Sequence, residues 1–162
     1  MDVRPVKNVM EDRKMLSVLA GVLMGWMSIE DIREKKVSVW PSVCLVVLGI
    51  LAAAVENKEE PWIHGLGAFL SAAGLGTVLW LAGRISRGSI GTGDAGALGG
   101  LGGYLGWQRA LTVFFFGLLL CAAAGGLYVR ISGKSIKTEM PFLPFLTAAY
   151  IVNMIVSCAV EG

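Results

Sequence analysis

Ser89-Ile90-Gly91-Thr92-Gly93-Asp94-Ala95-Gly96-Ala97-Leu98-Gly99-Gly100-Leu101-Gly102-Gly103-Tyr104-Leu105-Gly106 is the stretch that decides the fold. A glycine-bearing loop runs into an apolar segment that carries no charge after Asp94. Gly96 and Gly100, Gly99 and Gly103, and Gly102 and Gly106 form three overlapping G-x-x-x-G spacings. Small residues at that interval let helix backbones approach closely inside a bilayer. The segment therefore predicts a short helix, opening at Asp94 and buried among other helices.

The flanking sequence has the same character. Of 162 residues, 55% are hydrophobic and only 16% charged, and the mean hydropathy of +0.68 is too high for an ordinary soluble domain. A helix needs about 20 apolar residues to cross the hydrocarbon core. Six candidate spans follow, at Met15 to Ile29, Trp40 to Val55, Trp62 to Gly83, Asp94 to Trp107, Ala110 to Val129 and Phe142 to Val160. The expected fold is an all-α, polytopic membrane bundle of about six transmembrane helices, one domain over residues 1–162 with a polar tail at 1–14. The first and fourth spans are short for a full crossing, which bilayer thinning or a protein-lined cavity would accommodate. No small-residue cleavage site follows the first span, so a removable signal peptide is not expected. A net charge of +2 gives no reason to expect a nucleic-acid partner. Cys44, Cys121 and Cys158 are isolated, with no C-x-x-C pair to suggest a zinc site or a disulfide framework.

Lys and Arg favour the cytoplasmic side of membrane proteins. On alternate sides of a six-span chain, Arg33, Lys35, Lys36, Arg84, Arg87, Arg130, Lys134 and Lys137 face Arg4, Lys7, Arg13, Lys14, Lys58 and Arg109. Leaving out the N-terminal tail, where Asp2, Glu11 and Asp12 offset the bases, the imbalance is clear. The loops after spans one, three and five are expected in the cytoplasm, and Asp31 and Asp94 then share that side.

A carboxylate at a helix start, as at Asp94, is most simply an N-cap that satisfies free amides. Gly91 and Gly93 also leave the loop backbone bare on either side of Thr92, open to strand-like pairing with an extended peptide. A phosphate-binding loop is set aside on the expectation that neither its Lys-Ser/Thr ending nor a G-x-G-x-x-G spacing follows. Asp31 lies in Ser28-Ile29-Glu30-Asp31-Ile32-Arg33-Glu34, and helical spacing does not choose among its three acids. Two carboxylates brought together cannot both ionise readily, so such a pair shares a proton. One member can then take a proton from water as the other polarises a carbonyl, chemistry that needs no metal or nucleophilic side chain. His64, the one histidine, falls at the opposite edge.

Gly91-Thr92-Gly93-Asp94 with its leucine- and glycine-rich continuation resembles the G-x-G-D signature of the type IV prepilin peptidases, which are membrane aspartic proteases. Asp31-Ile32-Arg33 is similar to that family's first motif, and Met140-Pro141-Phe142-Leu143-Pro144-Phe145 to its Pro-Phe-Gly-Pro segment. Ser38 and Val39 stand where Pro-Asn is common, Gly96 where Lys is frequent, and Leu143 where Gly is usual. The resemblance implies catalysis by Asp31 and Asp94, with Gly91, Thr92, Gly93 and Arg33 binding substrate or shaping the loop. It implies no cofactor and no metal, and a prepilin-like substrate met in the lipid bilayer. The enzyme would be a multi-pass protein of the cell (inner) membrane with its site facing the cytoplasm. The paired C-x-x-C insertion associated with N-methylation in larger members has no counterpart, so peptidase activity alone is expected. Two other readings use the same acids: a small transporter or assembly factor binding cations or protons, and a presenilin-like protease, whose Pro-Ala-Leu segment is missing here.

Overall fold

The computed structural model describes residues 4–34, 38–56, 60–85, 91–132 and 141–161. Within them the chain forms six helices: α1 (Arg4–Glu34), α2 (Val39–Glu56), α3 (Pro61–Ile85), α4 (Thr92–Leu105), α5 (Trp107–Ser132) and α6 (Leu143–Glu161). The described residues include no strand, and the all-helical expectation holds. Lys35, Lys36, Val37, Lys58, Arg87, Ser89, Ile90, Lys134, Lys137 and Met140 lie outside the described residues.

Three helical stretches, Lys14–Glu34, Pro61–Ile85 and Trp107–Ile131, are long and apolar enough to cross a membrane; Val39–Ala54 and Leu143–Ala159 are shorter apolar helices. The first span is not short, contrary to expectation: α1 runs back to Arg4, through the segment read as a tail, and forward past Ile29 to Glu34. Glu and Arg are good helix formers, so the charges end the apolar run without ending the helix. The fourth helix is short, as expected, with 14 residues and a length of about 21 Å.

Burial is distributed as in a protein surrounded by lipid. Trp26, Trp40, Phe115 and Leu119 are exposed, whereas the interior holds Ala20, Met24, Met27, Ala97, Leu101 and Tyr150. Large apolar patches on the outside are foreign to a soluble monomer. α4 lies innermost, against α2, α3 and α5; α6 packs between α5 and α1, and α1 meets α2.

The glycines of α4 create this arrangement. A Cβ at Gly100 would stand 2.8 Å from the Leu45 side chain of α2, and one at Gly99 would stand 3.0 Å from the Ala72 carbonyl oxygen of α3. On α2, a Cβ at Gly49 would overlap the backbone of Gly103 and Tyr104. Gly106 departs from the packing role its spacing suggests. Nothing lies within 4 Å of its missing Cβ, and its φ of 78° makes the turn into α5, a conformation that glycine adopts without steric cost. Beside the end of α4, a cavity of about 460 Å³ opens among Ala52, His64, Ser71 and Tyr104.

Gly49→Ala is expected to lower stability by about 1–3 kcal/mol, the usual cost of overpacking, because the group it strikes is backbone and cannot rotate away. Gly25→Ala, with open space around it, should be neutral or slightly stabilising. Thermal unfolding of the two variants in detergent checks the contrast.

Candidate functional site

Asp31 is placed by α6. The α6 backbone N–H of Leu143 donates to Asp31 Oδ2 at 3.3 Å, and the Phe142 amide is directed at the same carboxylate. Further along the same two helices, Ser28 Oγ and Thr147 Oγ1 are hydrogen-bonded to each other. The Met24 carbonyl lies within reach of both hydroxyls, at 3.0 Å and 3.1 Å, so their two protons are shared among three contacts. Tyr150 OH then donates to the Ser17 carbonyl at 2.9 Å. The hydroxyls of Ser17 and Tyr104 share a hydrogen bond of 2.8 Å, which carries the seam on to α4. Leu143, Thr147 and Tyr150 occur at i, i+4 and i+7, one face of a helix.

Asp94 is the third residue of α4, and the N-cap is Gly91. The expectation that the helix opens at Asp94, with Asp94 as its cap, is therefore corrected by two residues. The Gly91 amide donates to the Asp94 carboxylate, the reach back from the third position to the cap that one half of a capping box makes. Thr92 and Gly93 are helical, so the bare extended loop expected over residues 91–93 shrinks to Gly91 alone, with φ −68° and ψ 145°. A helix start leaves its first amides without intrahelical partners, and Thr92 and Gly93 belong to that turn.

Asp31, near the end of α1, lies close enough to Asp94, in the first turn of α4, for its negative charge to be felt there. The charge of Asp94 is also felt at Cys121 of α5, a helix that packs against α4. Glu30 is drawn elsewhere, accepting the Ser38 backbone N–H at 3.0 Å just before α2. Glu34 and Arg33 are exposed on the last turn of α1, where a basic residue suits the negative end of the helix. Gly91 and Thr92 are exposed, and Gly93 is half-buried.

Sequence reasoning missed the α6 partners. Ser28 and Thr147 are hydroxyls in otherwise apolar helices, a visible signal of interhelical bonding, but which helix answers which is a tertiary fact. Gly91, Gly93 and Gly96 do have the spacing of a dinucleotide-binding turn. That fingerprint requires a preceding strand, and among the described residues the element before this one is α3. Among the described residues, no three His, Cys, Asp or Glu side chains gather as a metal ion would need.

α3 continues nine residues beyond Gly76, which meets Ala95 beside Asp94, a further length of roughly 14 Å along its own axis.

The sequence matches the type IV leader peptidase family over residues 18–126, a range that contains both acids. It is 29% identical over 115 residues to a prepilin leader peptidase/N-methyltransferase of Legionella pneumophila, aligning 67% of this chain with 40% of that protein. With a protein of the same description from Xanthomonas campestris pv. campestris it shares 30% identity over 121 residues, 74% of this chain and 42% of the other. The chain thus spans about two fifths of the length of these curated relatives. No solved structure matches it.

Since Asp31 caps α6 from another helix, Asp31→Ala should cost about 1 kcal/mol, in the range of a lost cap. Asp31→Asn keeps an acceptor and should cost less. Unfolding midpoints of both variants in detergent test this.

Proposed function

The chain belongs to the type IV leader peptidase family, and from that membership we propose that it is a membrane aspartic endopeptidase. Its substrate is a prepilin-like protein, from which it removes a short basic leader. Asp31 and Asp94 are the catalytic pair. One carboxylate, ionised, takes a proton from water, which attacks the scissile carbonyl. The other, protonated, polarises that carbonyl and then assists the leaving amine. The electrostatic influence of Asp31 on Asp94, from helices far apart in the sequence, is the observation that carries this reading.

Several features support the details. Glu30 is occupied by the Ser38 amide, which leaves Asp31 as the acid of its segment whose charge is felt at Asp94. Arg33, Arg84 and Arg130 stand in the last turns of α1, α3 and α5, the end at which the acids lie, and this favours a cytoplasmic site in the cell (inner) membrane. At that end Arg84 also lies over the Trp80 ring, 5.1 Å from its centre, an arrangement suited to a membrane interface. A substrate helix held in the bilayer would bring its leader junction to the acids. Binding from the membrane lowers the entropic cost of positioning that junction. Gly91, Thr92 and Gly93, at the start of α4, would meet the extended peptide, and Arg33, in the last turn of α1, lipid or leader. The reaction uses no cofactor, and the product is the mature protein without its leader.

Co-expression of a prepilin-like substrate with each variant tests the reading through leader removal. Asp31→Asn and Asp94→Asn should each lower the rate by about 10²–10⁴-fold, the weight of an acid–base group. Glu34→Gln should process normally, and Glu30→Gln nearly so. Full processing by either aspartate variant would refute the paired mechanism.

A further inference from the structure

The start of α6 lies outside the stretch that carries the family match, which ends at residue 126, and its geometry bears directly on Asp31. A helix leaves its first amides without intrahelical partners, and a buried helix start needs them satisfied from elsewhere. In α6 that need is narrowed to very few groups. Pro144 has no N–H. The amides of Phe145 and Leu146 both donate to the Phe142 carbonyl, at 3.1 Å and 3.2 Å. Leu143 is fully buried, so water has little access to its amide, and that amide donates to Asp31. The dependence runs both ways, since the amide that Asp31 satisfies also fixes where the carboxylate sits. This contact is made by backbone, so the Leu143 side chain is free to fill the core.

One turn onward, the hydroxyl of Thr147, itself buried, meets Ser28 and the Met24 carbonyl. Thr147 shares a helix face with Leu143. A slide or rotation of α6 that broke the Thr147 contacts would carry the Leu143 amide away from Asp31 at the same time. A polar contact between apolar helices has a defined register, whereas the surrounding apolar contacts tolerate slippage.

We propose that Thr147 is a positioning residue for the reaction, its hydroxyl locking α6 onto α1 so that the Leu143 amide holds the Asp31 carboxylate toward Asp94. This rests on the paired-aspartate reading. A seam that served stability alone would leave turnover of the folded enzyme unchanged when the hydroxyl is removed. A seam that sets geometry lowers turnover while substrate binding stays the same, because misplacement of a reacting group by about 1 Å can cost 10²-fold.

The test is steady-state cleavage of a leader-bearing substrate by the purified full chain in detergent, with folding of each variant checked by thermal unfolding. Thr147→Val, nearly isosteric, should lower kcat by about tenfold or more with KM unchanged. Thr147→Ser restores the hydroxyl and should lie within about twofold of wild type on the same scale. Leu143→Pro deletes the donating N–H at a helix position where proline is tolerated. Leu143→Ala truncates the side chain but keeps the amide, and Leu143→Pro should be at least about tenfold slower than it. If Thr147→Val does not fold, the Leu143 pair decides the matter. Wild-type kcat in folded Thr147→Val, equal losses in Thr147→Val and Thr147→Ser, or equal rates for the two Leu143 variants would overturn the proposal. If those results came with inactive Asp31→Asn and Asp94→Asn, positioning by α6 alone would fall. An active Asp31→Asn would remove the paired-aspartate reading and this proposal together.

Discussion

Because α4 has no side chains at Gly96, Gly99, Gly100, Gly102 and Gly103, its backbone can press against α2 and α3. Lipid is as apolar as the helix surfaces it surrounds, so contact at close range and hydrogen bonding replace the hydrophobic force that would drive helices together in water. The central helix is accordingly the one with the least side-chain volume. Once α4 is seated by its glycines, the depth and direction of Asp94 follow, because it occupies the first turn of that helix and is held to the Gly91 amide. A displaced α4 would displace Asp94 with it.

The second acid is fixed by a different device. α1 and α6 share a row of hydroxyl, carbonyl and amide contacts from Tyr150 and Ser17 to Leu143 and Asp31. Interhelical hydrogen bonds in membrane proteins contribute about 0.6 kcal/mol each on average, so no one of them accounts for the bundle's stability. Their common register has the larger consequence. Glycine contacts place one carboxylate and a polar seam places the other. The hydrogen bond between Ser17 and Tyr104 joins the two systems, linking the α1–α6 seam to the helix that bears Asp94. Both devices act at the same end of the bundle, where α1 ends and α4 begins.

Much of this was written in the sequence as spacing and composition. The intervals among Gly96, Gly99, Gly100 and Gly103 foretold a buried α4, because small size at a helical period has few other uses. The length of α1 was less legible: hydropathy marks where lipid-compatible residues stop, and the helix itself continues through Glu30, Asp31 and Arg33. The choice of Asp31 over Glu30 could not be read locally. What distinguishes the two acids in the fold is the Ser38 amide, eight residues from Glu30, and the Leu143 amide, 112 residues from Asp31. The departures from the family pattern also acquire local reasons. At Gly96, a Cβ would stand 2.8 Å from Ser42 Oγ, so a larger side chain there would require Ser42 to shift, and Leu143 fills the core with a side chain while its backbone does the polar work.

Catalysis by a carboxylate pair requires Asp31 and Asp94 to be neighbours in the folded protein. Paired cysteines in a variant with Cys44, Cys121 and Cys158 replaced by alanine measure this directly, through intramolecular coupling by a short bis-maleimide in native membranes. Asp31→Cys with Asp94→Cys should couple readily, while Asp31→Cys with His64→Cys, at opposite ends of the bundle, should not. Failure of the first pair to couple in folded, membrane-embedded protein, or coupling of the second pair as readily as the first, would contradict it.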